Sequence, residues 1–249
     1  MCGRYTSTSS PAELAEVFKV DEVKVEQLPI RYNVAPTQDV YAVAERRPKA
    51  EGEPVRRQLG SFRWGLVPYW AKDPSVGSRM INARAESIET KNAYKRPLTR
   101  RRCIIPADAF YEWQVQAGGG AKRTKLPYVI RHRDGSPLAM AGLWEVWHDP
   151  DRPDEDPLRT CVIITTQANE LLAPIHDRMP VVLPPDVWDR WLDPALEDPA
   201  ALSRLLVPAR SEEFEAYPVT TKVNTVANEG PELVEPIPAP PPGVDLRLM

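Results

Sequence analysis

Twenty-eight prolines stand against twelve glycines in this chain of 249 residues. Proline lacks a backbone N–H and has a fixed φ, so it is poorly tolerated inside helices and central strands. A chain this rich in it is expected to use short elements joined by stiff turns. The intervening segments fit. Residues 40–44, 58–64, 103–105, 110–115, 128–132, 138–147, 159–166 and 214–219 are rich in Val, Ile, Tyr, Phe and Trp and are bounded by Pro, Gly or Asp, which predicts strands. Ser10-Pro11-Ala12-Glu13 reads as a capping box: a serine cap, proline at the first helical position and glutamate three residues after the cap. It predicts a helix running to about Val20. Further short helices are predicted at 170–175, 186–192 and 199–206, the last capped by Asp198.

This order is not the strand–helix alternation of a doubly wound sheet. Nor is there a GxGxxG, a GxxxxGK[ST] or an HExxH, so dinucleotide, P-loop and zincin chemistry lack support. The expectation is an α+β fold: a single domain with a mostly antiparallel, barrel-like β-sheet core and short peripheral helices. The domain spans 1–237, and 238–249, with its run of three prolines, reads as a flexible tail. Residues 46–57, 117–125 and 148–157 read as flexible insertions. A chain of this length buries roughly 70–75% of its unfolded surface, so it needs no disulfide or metal to fold. No apolar run reaches the ~18–20 residues of a membrane span. The N-terminus has no apolar stretch after its basic residue, so a cytoplasmic protein with no membrane partner is expected.

Net charge is −3, but its distribution is uneven. Arg79, Arg84, Lys91, Lys95, Arg96, Arg100, Arg101 and Arg102 face only Glu86 and Glu89 within their stretch, which suits a local polyanion site. Five acids and one arginine crowd residues 149–157. The three cysteines show no metal-ligand spacing, and no metal or cofactor is expected. Cys103 and Cys161 lie in apolar runs and read as buried strand residues.

Cys2 differs. Once Met1 is removed it becomes a 1,2-aminothiol, which no internal cysteine offers. Its α-amine has a reference pKa of about 7.7–8.0, so a useful fraction is neutral near pH 7. A neutral amine condenses with an aldehyde to a Schiff base, and the thiol can then close a thiazolidine ring. The same group also suits an N-terminal-nucleophile hydrolase, with the thiol attacking an amide. Candidate proton carriers are few. His132 and His148 read as surface residues. His176 lies between Pro174 and Pro180, held stiffly, and histidine titrates near neutrality. Glu112 sits among Phe110, Tyr111 and Trp113, where desolvation should raise its pKa. Asn82 and Arg84 share one face if their segment is extended. Trp64, Tyr69 and Trp70 surround a Gly/Pro loop, with Trp64 the one expected in the core.

The chain resembles the SOS-response-associated peptidase (SRAP) family, whose members shield abasic sites in single-stranded DNA. The pieces that carry the resemblance are MCGRY at the N-terminus, RYNVAPT at 31–37, RWGLVPYWAKD at 63–73, INARAES at 81–87, RRCIIPADAFYEW at 101–113, ITTQAN at 164–169, IHDRMPVVL at 175–183 and VNTVANEGPELVEPI at 223–237. Ser87 stands where Thr is usual and Ala109 where Gly is usual. The resemblance implies a covalent thiazolidine crosslink from Cys2 to the ring-opened abasic sugar, with Asn82, Glu112 and His176 as the other catalytic groups. It implies that Arg84, with Lys95 and Arg96 of the basic stretch, contacts phosphates, and that Tyr69 and Trp70 form a stacking wedge. Arg4, Asn33 and Pro36 belong to the same expected DNA surface. The implied partner is single-stranded DNA carrying abasic sites, bound by a monomer that is nucleoid-associated when on DNA. Lyase and autopeptidase activities are associated possibilities. Two alternatives stay open: a cysteine hydrolase acting on amides, and a non-covalent reader using only the basic and aromatic surface.

Overall fold

The computed structural model describes residues 2–46, 52–116 and 124–238. Thirteen strands dominate: β1 (Tyr5–Ser7), β2 (Glu22–Val23), β3 (Arg31–Val34), β4 (Asp39–Arg46), β5 (Arg56–Trp64), β6 (Asn82–Arg84), β7 (Arg102–Ala107), β8 (Ala109–Gln116), β9 (Thr124–His132), β10 (Leu138–Trp147), β11 (Leu158–Gln167), β12 (Arg178–Pro180) and β13 (Phe214–Pro218). Four short helices lie around them: α1 (Pro11–Val17), α2 (Asn92–Arg100), α3 (Trp188–Leu192) and α4 (Pro199–Ser203).

The strands form two sheets. One runs β13-β9-β8-β1-β3; the other runs β12-β11-β10-β7-β4-β5-β2, with β6 added on β11. Pairing is mostly antiparallel, and the exceptions are β2–β5, β6–β11 and β5–β11. The β5–β11 contact spans only Thr160–Arg63 and Cys161–Trp64. It draws the larger sheet back on itself, giving the barrel-like curl expected without an evenly paired barrel. Cys103 and Cys161 are buried strand residues, as their apolar runs suggest.

Proline shapes this fold differently from the simple expectation. Pro106 lies inside β7, between β10 and β4. The strand tolerates it because β4 pairs with β7 only at Val43–Ile104, leaving no ladder there to interrupt. Pro97 lies inside α2, a helix with no side-chain cap that the sequence reading did not find. Its packing of Tyr94, Pro97 and Leu98 against the core outweighs poor local propensity. Conversely, 170–175 is not a helix. Asn169 accepts from the Leu172 N–H and starts a turn, and Pro174 cannot supply the donor that would extend it. The capping box at Ser10 is present, but α1 ends at Val17, and Lys19 then turns out at φ 52°. Helices are found within the expected segments 186–192 and 199–206.

Of the three expected insertions, 148–157 is a series of turns in which Arg152 pairs with Asp149 at 2.9 Å and Glu155 at 3.1 Å. Arg46, Arg56 and Arg57 lie in strands, as do Thr124 and Lys125; residues 47–51 and 117–123 fall outside the described residues. So do Met1 and the tail from 239 onward. No helix among the described residues is long and apolar enough to cross a membrane.

Candidate functional site

Cys2 is fully buried, in a cluster that includes Tyr5, Trp64 and Phe110. The Tyr5 and Trp64 rings lie 5.3 Å apart, and Trp64 donates from its indole N–H to the Ile81 carbonyl at 2.9 Å. Trp64 is thus a core residue, as expected, and it anchors the segment leading to Asn82. β1 follows Cys2 and pairs with β8 at Tyr5–Phe110 and Thr6–Ala109, so Glu112 of β8 is brought towards the chain start. Ala109, where glycine is usual in the resemblance, occupies this regular pairing.

β11 organises the other side. β6 runs parallel to it, pairing Ile163 with Asn82 and Thr165 with Arg84, while β12 pairs Gln167 with Arg178. Asn82 donates from Nδ2 to the Cys2 carbonyl at 2.8 Å. Its Oδ1 is buried with no partner among the described residues. His176, two residues before β12, places Nε2 3.9 Å from Glu112 Oε2.

The titrating groups are tuned mainly by burial. Glu112 is 2% exposed, and desolvation pushes its pKa up to about 7. Burial also raises the Cys2 thiol, with the Glu112 charge adding to it, so the thiol is protonated at neutral pH. Burial lowers His176, which leaves its ring neutral there. The Arg178 backbone N–H donates to His176 Nδ1 at 3.0 Å, which assigns the ring proton to Nε2, on the Glu112 side. Protonating the ring would instead favour the Asp177 carboxylate, 2.9 Å from Nδ1. Arg178 itself is clamped, bidentate on Glu86 at 2.6 and 2.9 Å and donating to the Thr165 carbonyl at 2.7 Å.

Two cavities flank these groups. Glu112, Trp113, Lys125, His176 and Asn224 line one of about 360 Å³. Trp70, Asn82, Arg84, Lys91 and Tyr94 are among those lining another of about 620 Å³. Asn82 and Arg84 therefore do share one face. Trp113, whose indole N–H donates to Asn224 Oδ1 at 2.7 Å, Lys125 and the Arg178–Glu86 clamp were not found by sequence reasoning. The signal available was that Asn224, Glu86 and Arg178 all lie within the quoted motif pieces.

The expected DNA-surface residues divide. Tyr69 and Trp70 are 53% and 57% exposed, on a turn held by the Trp147 indole N–H donating to the Ala71 carbonyl at 2.7 Å. Arg84, Lys95 and Arg96 are exposed, and the Arg96 guanidinium lies 4.8 Å from the Tyr69 ring centre. Pro36 is half-buried. Asn33 is fully buried, its amide reaching the carbonyls of Val223, Thr225 and Asn228 at 3.0–3.2 Å. Arg4 donates to Asn33 Oδ1 at 2.7 Å and to the Val223 carbonyl at 2.9 Å. Both side chains therefore fasten the segment carrying Asn224. Within the basic stretch, Arg102 is turned inward onto the carbonyls of Trp191 and Leu98, and Arg101 pairs with Glu145. His132 is half-buried against Phe214 at 4.9 Å rather than a surface residue, while His148 is exposed. No cluster of three or more potential metal ligands occurs among the described residues.

The fold is thus a sheet-built domain that buries Cys2 beside the Asn82 amide, with the Glu112 carboxyl and the His176 imidazole close to each other. The family model for SOS response associated peptidase (SRAP) matches residues 1–226, and the chain belongs to that family. The chain is 42% identical over 236 residues to the abasic site processing protein YoqW of Bacillus subtilis (strain 168), covering 94% of this chain and 99% of the relative. It is 31% identical over 244 residues to the abasic site processing protein YedK of Escherichia coli (strain K12), covering 95% and 100%. A crystal structure of a protein from Bacteroides thetaiotaomicron superposes with a TM-score of 0.79 at 25% identity, covering 95% of this chain and all of that one.

Proposed function

We propose that this protein recognises abasic sites in single-stranded DNA and traps them covalently through Cys2 once Met1 is removed. The observation that supports this most is the convergence on Cys2: the Asn82 amide at its carbonyl, and the Glu112–His176 pair beside it. The names of the relatives point to the same lesion.

The chemistry runs as follows. An abasic sugar opens to an aldehyde. The neutral Cys2 amine attacks its carbon, and water leaves as the imine forms. Departure of that water needs a proton, which Glu112 can give, since a pKa of about 7 leaves about half of it protonated at neutral pH. The thiol then adds to the imine carbon. A carbon–sulfur bond forms, the sulfur proton is lost and the imine nitrogen gains one. Because the thiol rests protonated, it needs a base at this stage, and the Glu112 carboxylate is the adjacent one. Asn82 fixes the Cys2 backbone so that amine and thiol face the same carbon. His176, neutral with its proton on Nε2, exchanges protons with Glu112 during sugar opening. Arg84, Lys95 and Arg96 would hold phosphates, and Tyr69 and Trp70 would stack on unpaired bases.

The same groups could cleave the strand from the imine by β-elimination, with Glu112 or His176 as the base. A second reading, suggested by the family's description as a peptidase, has the Cys2 thiol attack an amide. The buried, protonated thiol counts against it as a resting nucleophile. The test is parallel incubation with an abasic oligonucleotide and a panel of amide substrates. A heat-stable DNA adduct without amide turnover supports trapping; amide turnover without an adduct overturns it.

A further inference from the structure

A second concentration of positive charge lies at the far end of α2. Arg46 at the end of β4, Arg100, Arg101, Trp144 and Pro194 line a cavity of about 170 Å³. Two guanidinium groups lie against the Trp144 ring, with Cζ atoms 4.5 Å (Arg46) and 5.2 Å (Arg101) from its centre. Trp144 is 5% exposed, and its indole N–H is buried with no hydrogen-bond partner among the described residues. A buried donor without an acceptor is costly and uncommon.

Carboxylates do not balance the charge. Glu145 pairs with Arg101 and Glu197 lies 3.8 Å from Arg100, but Arg46 has no carboxylate partner among the described residues. Burial and then the charges of Arg96 and Arg46 lower the Arg101 pKa, while burial and then Arg159 lower that of Arg46. Cation–π contact alone would explain one arginine on the tryptophan. It does not explain several cations gathered around one cavity that is also lined by a tryptophan whose N–H is buried without a partner among the described residues. The space is well below the roughly 300 Å³ at which pockets begin to take whole small molecules, so a nucleoside does not fit. A tetrahedral oxyanion does, and guanidinium forks match its oxygens.

We propose that the cavity lined by Arg46, Arg100, Arg101 and Trp144 is a seat for a single phosphate group. Two sources share this chemistry. One is a backbone phosphate of a bound DNA strand, because Arg96 links the seat to the aromatic turn through Tyr69. The other is free phosphate. Only the first rests on the proposed DNA reading.

The test follows the Trp144 indole N–H signal in ¹⁵N-labelled protein, identified by its loss in Trp144→Phe. Inorganic phosphate is titrated at low ionic strength, and in a second arm an unmodified single-stranded thymidine oligonucleotide. Neither probe carries an aldehyde, so the result is independent of trapping by Cys2. A saturable shift with phosphate that weakens at least tenfold in Arg46→Ala and in Arg100→Ala is expected. If the oligonucleotide also shifts the signal and phosphate competes, the source is DNA backbone; if phosphate alone does, it is the free ion. Unchanged signals from the other six indoles show that a variant is folded. Should Arg46→Ala fail there, Arg100→Ala, with its side chain 61% exposed, carries the test. An indole signal that neither probe moves, or one that moves equally in the folded variants, overturns the proposal.

Discussion

Burial acts in opposite directions on the side chains around Cys2: it raises the carboxyl and the thiol and lowers the imidazole, in each case favouring the neutral form. For Glu112 the consequence extends to stability. A folded pKa of about 7 against an ordinary 4.5 means that the folded state binds more protons between those values. Stability therefore falls as pH rises from about 4.5 to about 7. Glu112→Gln removes the ionised form, so it should stabilise the protein above pH 7 by up to about 3 kcal/mol and have little effect at pH 4.5. Thermal unfolding at both pH values checks this; equal shifts would contradict it. The same variant should slow crosslinking by about 10²–10⁴ with near-normal DNA affinity, and should abolish the inflection near pH 7 in a time-course profile. The desolvation of Glu112 was legible in its aromatic neighbours. The roles of Arg4 and Asn33 were not, because their partners lie about 190–220 positions away in sequence. Asn33→Ala would take one acceptor from Arg4, which keeps the Val223 carbonyl, and remove the amide donor shared by the Val223, Thr225 and Asn228 carbonyls, costing about 2–4 kcal/mol, measurable by denaturant unfolding.

At the level of elements, the loop from Gly65 to Arg79 positions the aromatic turn. Gly65 has φ 128°, and a Cβ there would lie 2.5 Å from the Gly77 carbonyl oxygen. Gly65→Ala should therefore destabilise the fold and displace Tyr69 and Trp70 together, seen as loss of DNA affinity alongside a lower melting temperature. Two variants separate charge from stacking. Arg84→Ala should weaken binding and flatten the log–log salt slope by about 0.7. Trp70→Ala should cost about 1–3 kcal/mol and leave the slope nearly unchanged. Salt titrations of both decide it, and identical slopes would refute the division. Strands were legible because their apolar runs are bounded by Pro, Gly and Asp. Short pairings such as β6 on β11 were not, since three residues acquire a strand only from the neighbour they pair with. The helix α2 was hidden by Pro97 and by the absence of a capping side chain.

Across the whole molecule, the site is assembled from both ends of the chain and the middle. Cys2 lies against the β6 segment, β8 brings Glu112, β12 follows His176, and the 223–228 segment is tied to Arg4 and Asn33. The motif pieces revealed which residues belong together; the reason is the β11 strand, which carries β6 and orders β12, and no local pattern announces that. The proposed trapping requires a free Cys2 amine. A variant that retains a residue before Cys2 should fold normally and form no adduct, and Cys2→Ser should form only a transient Schiff base, revealed by borohydride. The most direct measurement is the intact mass of the protein after mixing with single-stranded DNA bearing one abasic site. The expected species is the chain without Met1 plus the oligonucleotide less one water, stable to heat and absent in Cys2→Ala. An adduct that persists in Cys2→Ala, or no adduct from protein shown to lack Met1, would contradict covalent trapping by Cys2.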